Sequence, residues 1–124
     1  MRERLRDSAR LEHIIVAINN IQEFIEGKTQ EDLEQNKMLF FAIVKNIEII
    51  GEAANNITKE LRAMHPEVAW DGMTGMRHVL VHDYYQINPR IAWMTVTKNI
   101  PEIKVQMQNI LDEELSNTGL NHKK

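Results

Sequence analysis

The chain has 124 residues, 43% of them apolar and 27% charged, with a formal net charge of −3. This is the size and balance of one globular domain with a real core. The acidic balance argues against a module that coats nucleic acid through a basic face, though not against a small local basic site. The absence of cysteine excludes a disulfide framework and a thiolate zinc site. No segment approaches the ~20 apolar residues of a membrane span, and Met1-Arg2-Glu3-Arg4 lacks the apolar run of a signal peptide. A soluble cytoplasmic protein without a membrane partner is therefore expected.

The apolar period is helical almost throughout. Leu11, Ile14, Ile15, Ile18, Ile21 and Ile25 form one stripe, and Gly27 sits where such a helix would end. Thr29-x-x-Asp32 is a capping pattern for a short helix to about Gln35. Asn36 can cap a second long helix carrying Leu39, Phe40, Ile43, Val44, Ile47, Ile50, Ala54 and Ile57. Gly51 inside that helix costs roughly 1 kcal/mol against Ala, so a packing reason is expected there. Glu52 beside it is a candidate buried carboxylate that could orient Arg77, or else a partly exposed helix carboxylate.

Thr58 can cap one further turn through Leu61. Pro66, Asp71-Gly72 and Gly75 read as a loop-like connection, with a helix from roughly Thr74 to His82. Asn88-Pro89 is a cap followed by proline at the first helical position. Trp93 is a large core candidate, and Asn99-Ile100-Pro101-Glu102 restarts or kinks the helix, which continues to about Leu115. The methionines and Trp70 read as core or interface filler; His13, His65 and His122 read as surface residues. The fold class is all-α, a bundle of about five helices. Residues 1–116 are expected to form the single domain and 117–124 a disordered tail.

One stretch carries the chemistry: Met76-Arg77-His78-Val79-Leu80-Val81-His82-Asp83-Tyr84-Tyr85. It gathers two of the five histidines and both tyrosines of the chain beside an arginine and a carboxylate. Arg77 and His82, five apart, lie about 140° from each other on a continuous helix. Either the helix ends between them, or the site is composite and a second copy supplies the matching groups across a two-fold axis. Arg beside His without an acidic cluster suits phosphoryl chemistry on RNA. The guanidinium holds phosphate and stabilises the growing charge. A neutral His takes the proton of a ribose 2′-hydroxyl and a second, protonated His serves the leaving oxygen.

The motif Arg77-x4-His82-x-Tyr84, with Ile49-Ile50-Gly51-Glu52-Ala53-Ala54 and Pro66-Glu67-Val68-Ala69-Trp70 before it, resembles the HepT-like branch of the HEPN superfamily (higher eukaryotes and prokaryotes nucleotide-binding). Ile87-Asn88 and the segment from Trp93 through Ile100-Pro101-Glu102-Ile103 fit as well. The resemblance covers about Leu11 to Leu111. It implies a two-fold homodimer of helical bundles acting as a metal-independent ribonuclease toxin in a type VII-like toxin–antitoxin pair, with no cofactor. Carried over, Arg77 holds phosphate and His82 is the acid/base, with His78, Glu52 and Asp83 in support. The implied partners are an RNA substrate such as tRNA or mRNA and an MntA-like nucleotidyltransferase antitoxin. That antitoxin adds adenylyl groups to the motif tyrosine, here Tyr84; the bulky anionic adduct would oppose RNA binding. Family members commonly carry Asn after the motif Arg, where this chain has His78.

Plainer readings stand beside these. Arg77 can salt-bridge Glu52 or Asp83 and stabilise a dimer, and His82 can be a hydrogen-bonded core or interface residue. His78 and His82 have the i, i+4 spacing of a metal pair, but the Glu of a His-Glu-x-x-His motif and a third ligand are absent. A noncatalytic HEPN module that binds nucleotide or RNA and partners a nucleotidyltransferase is the alternative to a nuclease, and a plain helical dimer is the third reading.

Overall fold

The computed structural model describes residues 2–82 and 89–117, with side chains omitted at 2, 3, 5 and 77–82. The described residues contain helices and no strand: α1 Arg2–Ile25, α2 Gln30–Gln35, α3 Lys37–Asn56, α4 Lys59–Met64, α5 Trp70–His82, α6 Pro89–Met94, a π-helical turn Thr95–Asn99, and α7 Ile100–Asn117. The last three are continuous, so the described residues hold six helical bodies where the periodicity suggested about five. Of the expected tail 117–124, Asn117 is the last residue of α7, and the rest of it lies, like the Asn88 cap, outside the described residues.

Local chemistry sets the helix ends. Gly27 adopts φ +73, the left-handed conformation that closes α1. Thr29 and Asp32 form a reciprocal capping box at the start of α2. The Asn36 side chain accepts from Leu39 N at 3.0 Å and opens α3. The Thr58 hydroxyl accepts from Leu61 N at 3.2 Å and opens α4.

The start of α5 corrects the sequence reading: the helix begins at Trp70, and Gly72 and Gly75 lie inside it. Two helix-interior glycines cost about 1 kcal/mol each. Burying Trp70 and Met73, both in the core, is worth about 2 kcal/mol each and outweighs them. The expected restart near Pro101 is instead the π turn. Proline has no N–H, and its ring clashes with the carbonyl four residues back. The turn just before it is widened: Ile100 N–H donates to Thr95 O, one residue beyond α-helical spacing. The Thr97 hydroxyl takes up the Trp93 carbonyl at 2.7 Å.

α1 packs on α3 and α7, and α3 packs on α5. Leu11, Ile14, Ile18 and Ile21 meet Ile43, Ile47 and Ile50 in a core completed by Met73, Ile100 and Met107. Gly51 is on the buried face of α3. The Asn20 amide donates to Asn46 Oδ1 at 3.2 Å across the α1–α3 contact. Trp93 is only partly buried against this core. Of the methionines, Met73 and Met107 are buried, whereas Met38, Met64 and Met94 are exposed.

An ionic network closes one end of the bundle. Asp7 is 0% exposed. It accepts from Thr58 N at 3.0 Å and from the Thr58 hydroxyl at 2.6 Å. Arg4 reaches Asp7 at 3.1 Å, Glu60 at 3.2 Å and Glu114 at 3.0 Å. Burial disfavours the charged guanidinium, but its hydrogen bonds to Asp7 and Glu114 more than offset this and raise the Arg4 pKa. No helix among the described residues is long and apolar enough to cross a membrane.

Candidate functional site

Helix α5 carries the motif. Its backbone is helical through Arg77, His78 and His82, so the helix does not end between Arg77 and His82. In helical register Arg77 continues the row of Trp70 and Met73, while His82 continues the row of Gly75 and His78. The two motif residues of one chain therefore stand about 140° apart around the helix and about 7.5 Å apart along it. Asp83 and Tyr84 lie outside the described residues, as does any contact of the Arg77, His78 and His82 side chains.

The N-terminal end of α5 is held firmly. Trp70 Nε1 donates to the carbonyl of His65 at 3.0 Å. That carbonyl also accepts from Val68 N at 3.2 Å. His65, expected at the surface, is 8% exposed. Its Nδ1 lies 3.4 Å from Glu67 and its Nε2 3.5 Å from Glu113 on α7. The sequence hid this because Glu113 is distant in the chain. His13 is exposed, as expected, and His122 lies outside the described residues.

For Glu52 the structure takes the exposed one of the two expected placements. It is exposed on α3, not a buried carboxylate. It lines a cleft of about 410 Å³ between α1 and α3 with Arg10, His13 and Lys45. The reason is register: Glu52 follows Glu48 and Lys45 on the outer face, while Gly51, Ala53 and Ala54 take the inner one. Whether Glu52 orients Arg77 falls on a side chain outside the described ones.

A second groove runs along α5 itself, between Gly72–Met76 and the first turns of α7. It measures about 260 Å³. Its floor is Met73, Met76 and Ile103, and its other wall carries Asn99 at the end of the π turn with Glu102 and Gln106 of α7. The sequence reading did not single out Asn99 or Gln106. Their spacing, 99, 102 and 106, is a helical row, but only the fold, which sets this row across the groove from α5, shows what it faces. Among the described residues no three His, Cys, Asp or Glu side chains are grouped to hold a metal ion.

Comparison with known proteins fits this architecture. The model of the family described as "Ribonuclease HepT-like" matches residues 14–110. A candidate RNase of Caldanaerobacter subterraneus subsp. tengcongensis is 41% identical over 104 residues, which cover 84% of this chain and 93% of that protein. A protein of Thermococcus cleftensis named probable ribonuclease HepT is 38% identical over 100 residues, covering 81% of this chain and 91% of that one. A Methanocaldococcus jannaschii protein, named as a gamma-glutamylcyclotransferase and candidate RNase, is 34% identical over 103 residues, covering 83% of this chain but 46% of that longer protein. No solved structure gives a significant match. The all-helical bundle, the motif helix α5 and these relatives together place the chain: it belongs to the HepT-like ribonuclease family.

Proposed function

We propose that the protein is a metal-independent endoribonuclease that works as a homodimer, acting in the cytoplasm as the toxin of a toxin–antitoxin pair. Arg77 binds the scissile phosphate and stabilises the charge that grows on it. His82 of one chain, neutral, accepts the proton of the ribose 2′-hydroxyl as that oxygen attacks phosphorus. His82 of the other chain, protonated, gives a proton to the departing 5′-oxygen. The products are a 2′,3′-cyclic phosphate and a 5′-hydroxyl. A nucleotidyltransferase antitoxin silences the site by adenylylating Tyr84.

The observation that carries this reading is the unbroken helix through Arg77 and His82 in a chain of this family. With the two residues far around one helix, a cleft shared between two chains brings the needed groups together most simply. The net charge of −3 suits a cleft of this kind better than a broad basic surface.

The test is RNA cleavage in excess EDTA by wild type, His82→Ala and Arg77→Ala, after intact-mass measurement shows the protein unmodified. Cleavage by wild type, its loss in His82→Ala and a drop in both binding and turnover in Arg77→Ala are the expected results. An unmodified wild type that binds RNA without cutting it would replace the nuclease with a noncatalytic HEPN module. His78, in the position where the family commonly has Asn, is then the first residue to exchange.

A further inference from the structure

We propose that the groove between α5 and α7 is a nucleobase subsite and that it takes guanine. This rests on the ribonuclease reading of α5 and adds a specificity to it.

The shape comes first. At about 260 Å³ the groove is below the roughly 300–1,000 Å³ of sites that enclose whole ligands. A single planar ring fits it better than a complete nucleotide. Met73, which is 1% exposed, forms the floor with Met76 and Ile103. Thioether and aliphatic groups are good surfaces for the face of an aromatic ring. On the α5 side the wall includes Gly72, which leaves room at the rim.

The polar groups come second. Asn99, the last residue of the π turn, and Glu102 and Gln106 of α7 share one row and open onto the groove. Among the described residues, none of these three side chains has a hydrogen-bond partner. The other carboxylate on the rim, Glu67, is already 3.4 Å from His65. Glu102 is thus a carboxylate with acceptor capacity to offer, and it repels phosphate. Guanine presents two adjacent N–H donors on its Watson–Crick edge, which one carboxylate can accept together. The amides of Asn99 and Gln106 can donate to its carbonyl and ring nitrogen. RNA-binding proteins read unstacked bases by this combination of an apolar platform and edge hydrogen bonds.

Position comes third. Met76 directly precedes Arg77, and it lies about 9 Å along the helix axis from His82. A base held there belongs to a nucleotide close to the bond being cut, so the groove would impose a base preference beside the cleavage point.

The first measurement uses nucleosides, which carry no phosphate and make no demand on Arg77 or His82. The full-length protein, labelled at its methionine methyls, is titrated with guanosine, adenosine, cytidine and uridine. The Met73 and Met76 signals are expected to shift with guanosine most, and Glu102→Gln to weaken that response about tenfold. Absence of a guanosine shift at these methyls overturns the proposal. So does a response of equal size to all four nucleosides, or one that Glu102→Gln leaves unchanged. The second measurement maps cut sites on RNAs that vary one base at a time. A guanine preference that flattens in Glu102→Gln supports the subsite. His82-dependent cleavage without any base preference removes the subsite and leaves the nuclease standing. Guanosine binding without cleavage does the reverse.

Discussion

The indole of Trp70 donates to the main-chain carbonyl of His65 at 3.0 Å. This bond joins the C-cap of α4 to the first residue of α5, the helix that carries Arg77 and His82. The same histidine reaches back to Glu113 on α7. The motif helix is thereby anchored at its start to two other elements, and the proposed chemistry lies toward its other end.

Trp70→Phe isolates the contribution of this bond. The ring volume is largely kept, and the His65 carbonyl retains its second donor, Val68 N. A loss of about 1 kcal/mol is expected, the net worth of one hydrogen bond. It is read as a lower urea midpoint with an unchanged slope. Trp70→Ala adds the loss of the buried ring and should cost about 3 kcal/mol or more. If the Phe variant is as costly as the Ala variant, the hydrogen bond and not the packing dominates.

Asp7 offers a sharper case. It is fully buried and takes two hydrogen bonds from Thr58 and one from Arg4. Asp7→Ala leaves the Thr58 N–H and hydroxyl without their acceptor, takes one of three carboxylates from Arg4, and also loosens the cap of α4. Removing one partner of a buried pair costs about 3 kcal/mol, a large share of the roughly 5–15 kcal/mol a domain has. Thermal unfolding of Asp7→Ala beside Thr58→Val checks this. The Thr58 change removes the cap and one bond but leaves Arg4 paired, so it should cost about 1–2 kcal/mol. Equal costs would mean that the Arg4–Asp7 contact adds nothing.

These residues also mark the boundary of what the sequence discloses. Capping is local: Thr29, Asn36 and Thr58 each act on an N–H three residues away, and all three were legible from spacing alone. Burial of a charge is not local. Asp7 meets Thr58 across 51 residues and Arg4 meets Glu114 across 110, and no short pattern announces either pair. The same limit explains His65, which was expected at the surface and is buried, and Glu52, for which a buried and a partly exposed place were both open. Glycine misled for another reason: Gly72 and Gly75 signal a loop by propensity, but the burial of Trp70 and Met73 decides the matter. The motif stands out in the sequence because its residue types are unusual together, whereas the groove does not, because it belongs to two elements at once.

Tyr84 carries the proposed regulation. Incubation with ATP and the partner nucleotidyltransferase is expected to raise the intact mass in steps of one adenylate. Tyr84→Phe should abolish the gain and leave cleavage in place, because the phenol is the acceptor and not a group in the cutting step. Modified wild type should bind RNA more weakly, since each adduct adds negative charge at the cleft. A mass gain that persists in Tyr84→Phe would move the modification elsewhere, to Tyr85 first.

The shared cleft makes a quantitative prediction. If one cut needs His82 from both chains, a dimer of one wild-type and one His82→Ala chain is inactive, because either the base or the acid is missing. Let wild type exchange subunits with three equivalents of His82→Ala. With random pairing about one dimer in sixteen is then wild type on both sides, in a fourfold larger pool of dimers. Activity should fall to about a quarter of that of the wild type alone. A chain that holds a complete site of its own predicts no fall at all. The helix geometry favours the first outcome: Arg77 and His82 are separated by about 140° on an unbroken helix. Separation of that size is hard to close within one chain, and the proposed homodimer would close it if its two-fold axis passed beside the end of α5. Unchanged activity under full exchange, checked by mass spectrometry of the mixed dimers, would mean that one His82 suffices for each cut and would remove the second histidine from the mechanism.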